Sequence, residues 1–148
     1  MSVANENQTN DFEPKIIGIT CNWCTYAGAD LAGISRLNYP TNIRVIRVPC
    51  SSRVNPLFVL KAFQKGADSV LVSGCHPGDC HYGTGNYFTR RRYLIFKRLL
   101  EYVGFEPGRF NASWISGAEG AKFAATMNKI TEAARSLGPN KKMRDDIV

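Results

Sequence analysis

Ser69-Val-Leu-Val-Ser-Gly-Cys-His-Pro-Gly-Asp-Cys-His-Tyr82 carries an apolar run into a loop that holds two of the chain's five cysteines. Val70, Leu71 and Val72 have the character of a fully buried strand, and Gly74, Pro77 and Gly78 stop either a strand or a helix from continuing. Cys75 and Cys80 are therefore expected on a tight loop at the carboxyl end of a strand. In an open α/β sheet that edge is where ligands and cofactors bind.

Two more segments end the same way. Lys15 to Thr20, with Ile16, Ile17 and Ile19, reads as a buried strand running into Cys21-Asn-Trp-Cys24. Ile43 to Val48 mixes Ile43, Val45 and Ile46 with Arg44 and Arg47, as a strand with some polar exposure does, and Pro49-Cys50-Ser-Ser-Arg53 ends it. Between these lie helical patterns. Ala27, Leu31, Ile34 and Leu37 predict a helix over 26–37. Asn55 followed by Pro56 is a helix start, and the apolar face of Leu57 to Lys65 is closed by Gly66. Asn86 to Val103 reads as a long amphipathic helix, with Phe88, Ile95, Leu99 and Val103 on one side and Arg90, Arg91, Arg92, Lys97 and Arg98 largely on the other. Phe110 to Ser116 suits a fourth strand. Glu119 to Leu137 carries Phe123, Met127, Ile130, Ala134 and Leu137 at helical spacing before Gly138-Pro139.

The alternation predicts an α/β fold: a small parallel sheet of about four strands, flavodoxin-like or Rossmann-like, with right-handed crossovers and helices on both faces. Parallel strands bring their carboxyl ends to one edge, so Cys21/Cys24, Cys50 and Cys75/Cys80 are expected to meet there. At 148 residues the chain suits one domain, taken as 14–138. A polar arm over 1–13 is expected to be disordered or ordered by a partner, and 139–148 is a charged tail. No stretch approaches the roughly 18 apolar residues of a membrane span, and the arm lacks the apolar middle of a signal peptide. A cytoplasmic protein is expected.

In a reducing compartment an odd count of five cysteines argues against a disulfide framework and for metal or redox chemistry. A net charge of +7 and a pI near 9.3 favour an acidic partner. Nucleic acid is disfavoured, since no recognition helix or aromatic platform is evident. The spacings Cys-x-x-Cys and Cys-x-x-x-x-Cys can each chelate one metal ion, and a [2Fe-2S] cluster needs four thiolates, two per iron. Cys50 is then a fifth thiol, either replacing one of the four or standing free. Three other readings stay open: four-thiolate zinc in an interaction module, a thiol-disulfide oxidoreductase using Cys21/Cys24, and plain buried thiols.

His76 and His81 flank the second pair and could ligate iron or hydrogen-bond and cover the loop. Asp79 is placed to accept backbone donors of its turn. Arg90, Arg91 and Arg92 form a solvated face or dock an acidic partner. Trp23 and Tyr82 are candidates for shielding a cluster from water, whereas Trp114 is expected in the core.

These residues resemble a known family. Cys21-Asn-Trp-Cys24, Pro49-Cys50-Ser-Ser-Arg53, Gly74-Cys-His-Pro-Gly-Asp-Cys-His-Tyr82 with Gly85-Asn86 and Arg90 to Arg92 behind it, and Trp114-Ile-Ser116 before Glu119 are similar to the iron-sulfur delta subunit of the methyl-viologen-reducing hydrogenase of methanogens. The resemblance runs from about residue 15 to 138 and implies an electron-transfer subunit. Its [2Fe-2S] cluster would be held by Cys21, Cys24, Cys50, Cys75 and Cys80. It would pass electrons from a nickel-iron hydrogenase, or in some relatives formate dehydrogenase, to the flavoprotein A subunit of heterodisulfide reductase, where flavin-based bifurcation occurs. Ser52 departs from the family pattern, which has glycine after Cys-Ser.

Overall fold

A computed structural model of the chain describes residues 11–145. The expectations for the first ten residues of the arm and for 146–148 of the tail lie outside the described residues. In chain order the elements are β1 (Ile16–Cys21), α1 (Thr25–Ile34), β2 (Ile43–Val48), a 3-10 turn (Ser51–Arg53), α2 (Pro56–Gln64), β3 (Ser69–Gly74), α3 (Gly85–Tyr102), β4 (Phe110–Trp114) and α4 (Gly120–Leu137). All strand pairs are parallel, in the order β2-β1-β3-β4. The α/β fold and the cysteines at strand ends are as expected.

The chain moves outward from β1 to β2, then crosses back over β1 to lay down β3 and β4. The order therefore reverses between β1 and β3, and the crevice beyond their carboxyl ends is the topological switch point of the sheet. β3 lies between two strands and under helices on both faces, so all six of its residues are buried. Leu71 packs with Ile16, Ile43, Ile115, Phe123 and Met127 on the α1/α4 side. Val70 and Val72 pack with Ile19, Phe63, Phe96, Leu100 and Phe110 on the α2/α3 side. β2 is an edge strand on which Arg44, Ile46 and Arg47 are exposed, and only Ile43 is fully buried.

α2 starts and stops as its sequence predicts. The Asn55 side chain accepts from the Leu57 N–H at 2.9 Å, and Gly66 takes φ +94 beyond the end. Two helices turn a different face inward than their spacing suggests. α1 ends at Ile34, short of the predicted Leu37; Ile34 and Leu37 are both exposed, and the buried residues of the helix are Thr25, Gly28 and Ala32. A Cβ on Gly28 would stand 2.9 Å from the Ser116 carbonyl, and one on Gly120 would stand 3.0 Å from the Ala32 nitrogen. Backbones that close leave room only for small side chains. Phe88, Ile95 and Leu99 of α3, and Val103 just past its end, are all exposed, and the buried residues of the helix are instead Gly85, Asn86, Thr89, Phe96 and Leu100. Trp114 is half-buried beside Gly74 rather than in the core.

The end of the sheet away from the cysteines is closed by Arg109. Its fully buried guanidinium donates to Glu106 at 2.6 Å, to the Asp68 carbonyl at 3.1 Å and to the Gly138 and Leu137 carbonyls at 3.0 and 3.3 Å. It thereby satisfies carbonyls that end α4 and would otherwise lack donors. Past α4, Asn140 is buried and its N–H donates to Asp68 at 2.9 Å. Among the described residues no helix is long and apolar enough to cross a membrane.

Candidate metal centre

Cys21 is the last residue of β1 and Cys75 the first beyond β3, so the switch point sets them side by side, with sulfurs 3.7 Å apart. Cys24 precedes the first turn of α1 and completes a group whose three sulfurs lie within 4.8 Å of one another. Cys50, beyond β2, and Cys80, in the loop after β3, form a second contact at 3.8 Å. All five thiols are free, and these separations are far beyond the roughly 2.05 Å of a disulfide. The structure thus regroups the cysteines: Cys75 joins Cys21 and Cys24, while Cys80 turns toward Cys50. Positive φ at Gly78 and Gly83 and a bridge between Cys80 and Gly83 fold the loop back on itself, which separates Cys80 from Cys75.

The amino end of α3 is fitted to the second pair. A Cβ on Gly85 would meet the Cys50 sulfur at 2.6 Å and the Cys80 sulfur at 3.1 Å, so only glycine admits both. Burial opposes ionisation of Cys80, yet backbone N–H groups of Tyr82, Asn86 and Gly85 and the Cys50 thiol together hold it below the ordinary cysteine value. The Ser52 hydroxyl donates to the Cys50 sulfur at 3.2 Å, and Arg92 donates to the Ser52 carbonyl. The departure at Ser52 therefore adds a hydrogen-bond donor to a cysteine sulfur.

The first group behaves oppositely. Burial pushes Cys75 and Cys24 up, and each is further disfavoured as a thiolate by the neighbouring sulfurs, although the Cys75 contact offsets part of the rise at Cys24. Cys24 and Cys75 therefore resist ionisation unless a cation joins them, and a coordinated thiol is deprotonated outright. This donor set fits a thiophilic metal centre. Among the described residues, Cys21, Cys24 and Cys75 are the one group of three or more potential ligands this close, and neither histidine belongs to it.

Asn86 links the two groups. Its buried side-chain amide donates to the Cys75 carbonyl at 3.0 Å and the His76 carbonyl at 2.6 Å, and its own N–H serves Cys80. His76 places Nε2 2.6 Å from Glu119, whose carboxylate also accepts from the Ser116 N–H at 2.8 Å. Those contacts, the Ser116 donor first and then His76, hold the Glu119 carboxyl at about 2. His81 stacks on Trp23 with ring centroids 3.8 Å apart, and the Trp23 indole donates to the Tyr82 hydroxyl at 3.1 Å. This exposed aromatic latch joins the Cys24 segment to the Cys80 loop. Asp79 is exposed and its carboxylate accepts no loop donor among the described residues; its own N–H closes the turn on the His76 carbonyl at 2.9 Å.

Sequence reasoning gave no role to Gly85, Asn86 or Glu119, and placed Ser52 only as a departure. A Gly-Asn pair opening a helix directly after a cysteine loop was the available signal for the first two. A family model described as the methyl-viologen-reducing hydrogenase delta subunit matches residues 16–138. The chain belongs to that family. The span shared with the delta subunits starts at the first residue of β1, ends at the close of α4 and includes all five cysteines.

Individual relatives agree. The chain is 52% identical over 129 residues to the D iron-sulfur subunit of the vhc F420-non-reducing hydrogenase of Methanococcus voltae, covering 87% of this chain and 90% of that one. It is 50% identical over 133 residues to the D iron-sulfur subunit of the F420-non-reducing hydrogenase of Archaeoglobus profundus, covering 90% and 97%. A third relative is far longer. The heterodisulfide reductase A subunit of Methanosarcina acetivorans is 50% identical over 126 residues, which is 85% of this chain and 16% of that one.

Proposed function

We propose that the chain is an electron-transfer subunit that holds a [2Fe-2S] cluster, drawing four ligands from Cys21, Cys24, Cys50, Cys75 and Cys80. It relays electrons from a hydrogenase or formate dehydrogenase to the flavoprotein A subunit of heterodisulfide reductase, within a flavin-based electron-bifurcating complex. Residues 14–138 are the unit that does this. The observation that carries the reading is the gathering of five free thiols, from three separate strand ends, at the switch-point edge. The relatives named as iron-sulfur subunits support it. So does the Methanosarcina reductase protein, in which a counterpart of this domain is tethered to the proposed acceptor in one polypeptide.

When bound, such a cluster supplies one-electron transfer without making or breaking substrate bonds. The chain's own residues position and insulate. Asn86 pins the Cys75–His76 segment, the N–H groups at the start of α3 favour negative charge on Cys80, and Ser52 donates to Cys50. Trp23, His81 and Tyr82 cover the gap between two cysteine segments and limit water. No general acid or base is required.

A thiol-disulfide oxidoreductase needs an accessible attacking thiol with a depressed pKa. Cys21 is buried at 1% exposure and burial pushes Cys24 up, so the Cys-x-x-Cys motif lacks that thiol. Iron and acid-labile sulfide analysis of anaerobically purified chain, with visible and electron-spin-resonance spectra, tests the proposal. About two irons and two sulfides per chain are expected, with absorbance that bleaches on reduction. Colourless, zinc-loaded protein would overturn it in favour of a zinc-stabilised interaction module.

A further inference from the structure

The two cysteine groups differ in the charge that surrounds them. Two thiolates on one tetrahedral metal, with bonds of about 2.3 Å, stand about 3.8 Å apart. Cys50 and Cys80 have that separation, 3.8 Å, and so do Cys21 and Cys75 at 3.7 Å. Each group is therefore spaced to hold one iron of a pair: Cys50 with Cys80 on one, and two of Cys21, Cys24 and Cys75 on the other. A reduced [2Fe-2S] cluster keeps its added electron on one iron, and the surroundings of the ligands decide which.

Cys50 and Cys80 are met by donors. The Ser52 hydroxyl donates to the Cys50 sulfur at 3.2 Å, and N–H groups of Tyr82, Gly85 and Asn86 donate to Cys80. Gly85 and Asn86 open α3, an 18-residue helix with no acidic residue in its first turn, so no side chain of that turn offsets the positive end of its dipole. Two turns on, Arg92 donates to the Ser52 carbonyl. The acid of this loop, Asp79, is exposed, where water screens it. The other group is poorer in donors. Cys24 stands before the first turn of α1, but its side chain makes no cap hydrogen bond to that helix. Cys21 is 4.0 Å from the Thr25 hydroxyl, whose single proton also has Ser73 at 3.1 Å and the Ile115 carbonyl at 3.4 Å to serve. Whichever two sulfurs bind there, the third stays within 4.8 Å of them, and the Glu119 carboxylate lies 2.6 Å from His76, the residue after Cys75. Both oppose added negative charge.

We infer that Cys50 and Cys80, with Ser52 and the amino end of α3 behind them, hold the iron that takes up the electron. The inference rests on the cluster reading proposed above and adds which end of the site is reduced. The step moves one electron and no proton. An outside one-electron carrier is oxidised, the iron on Cys50 and Cys80 goes from ferric to ferrous, the other iron stays ferric, and no bond is made or broken.

The test is proton magnetic resonance of the anaerobically purified, cluster-loaded chain reduced with dithionite. Cysteine β-protons on ferric iron are strongly shifted and lose shift on warming, whereas those on ferrous iron are weakly shifted and gain it. The weakly shifted set should show nuclear Overhauser contacts to the Gly85 α-protons, because Gly85 packs on both Cys50 and Cys80. In a mediated redox titration, Ser52→Ala should lower the reduced-to-oxidised ratio at a fixed potential about threefold or more, and Thr25→Val should change it less. Gly85 contacts to the strongly shifted set, or to neither set, overturn the inference and leave the cluster reading standing. Equal shifts in the two sets, which mean an electron shared between both irons, do the same. So does a Thr25→Val effect larger than that of Ser52→Ala. Chain purified without iron and sulfide overturns the inference and the cluster reading together.

Discussion

A methyl group on Gly85 would stand 2.6 Å from the sulfur of Cys50. The same methyl would be 3.1 Å from the Cys80 sulfur, so two cysteines separated by thirty positions share one gap at the amino end of α3. Gly85→Ala must displace short, partly buried side chains rather than a flexible tip. We expect near-wild-type circular dichroism together with loss of most of the visible absorbance and bound iron. Full iron occupancy in the variant would show that Cys50 and Cys80 do not hold the metal.

Ser52 donates to the Cys50 sulfur at 3.2 Å. Hydrogen bonds to ligand sulfurs stabilise the more negative, reduced cluster and so raise its potential. Ser52→Gly, which restores the residue of the family pattern, is expected to lower the midpoint potential in a mediated redox titration. An unchanged potential would place Cys50 outside the ligand set.

Asn86 is buried and its amide is shared between the Cys75 and His76 carbonyls. Asn86→Ala leaves those carbonyls without their donor and opens a small cavity, at a cost of about 1–3 kcal/mol. Denaturant unfolding should show a lower midpoint with an unchanged slope, and the loaded variant should lose iron to a chelator faster than wild type. Asn86→Asp should restore neither property, since a carboxylate cannot donate to those carbonyls.

Arg109 is buried with four acceptors, of which only Glu106 is charged. Arg109→Met should cost about 2–4 kcal/mol, because the Asp68, Leu137 and Gly138 carbonyls lose their common donor. The Arg109 guanidinium holds the Glu106 carboxyl below its ordinary value of 4.5. Stability from this ion pair is therefore fully present above that value and fades as pH falls through the lower, folded-state value. Glu106 is nearly half exposed, so the effect is modest, at most about 1 kcal/mol. The difference in urea midpoint between wild type and Glu106→Gln should be largest near neutrality and shrink on acidification. A difference that grows at low pH would contradict the assigned ion pair.

Local chemistry made much of the molecule legible in the sequence. The Val70–Val72 run fits a strand buried on both faces, Asn55-Pro56 starts α2 and Gly66 ends it, and Gly and Pro after β3 force a loop that holds cysteines. Strands alternating with helices imply a parallel sheet, and a parallel sheet puts every strand's carboxyl end on one edge. Those features depend on neighbours within a few residues of each other.

What remained depends on which surfaces meet. Spacing pairs Cys75 with Cys80, but the reversal of strand order sets Cys75 against Cys21 and leaves Cys80 to Cys50. Periodicity found an apolar stripe on α3 without showing that it faces outward, because spacing says which residues share a helix face and not which face meets the sheet. In α1 the inward face is small rather than large, since Gly28 and Gly120 let two backbones approach more closely than bulky side chains would permit. Residue order thus determined the elements and the edge at which the cysteines collect. Contacts between residues distant in the chain decided which sulfurs became neighbours and which helix face stayed exposed.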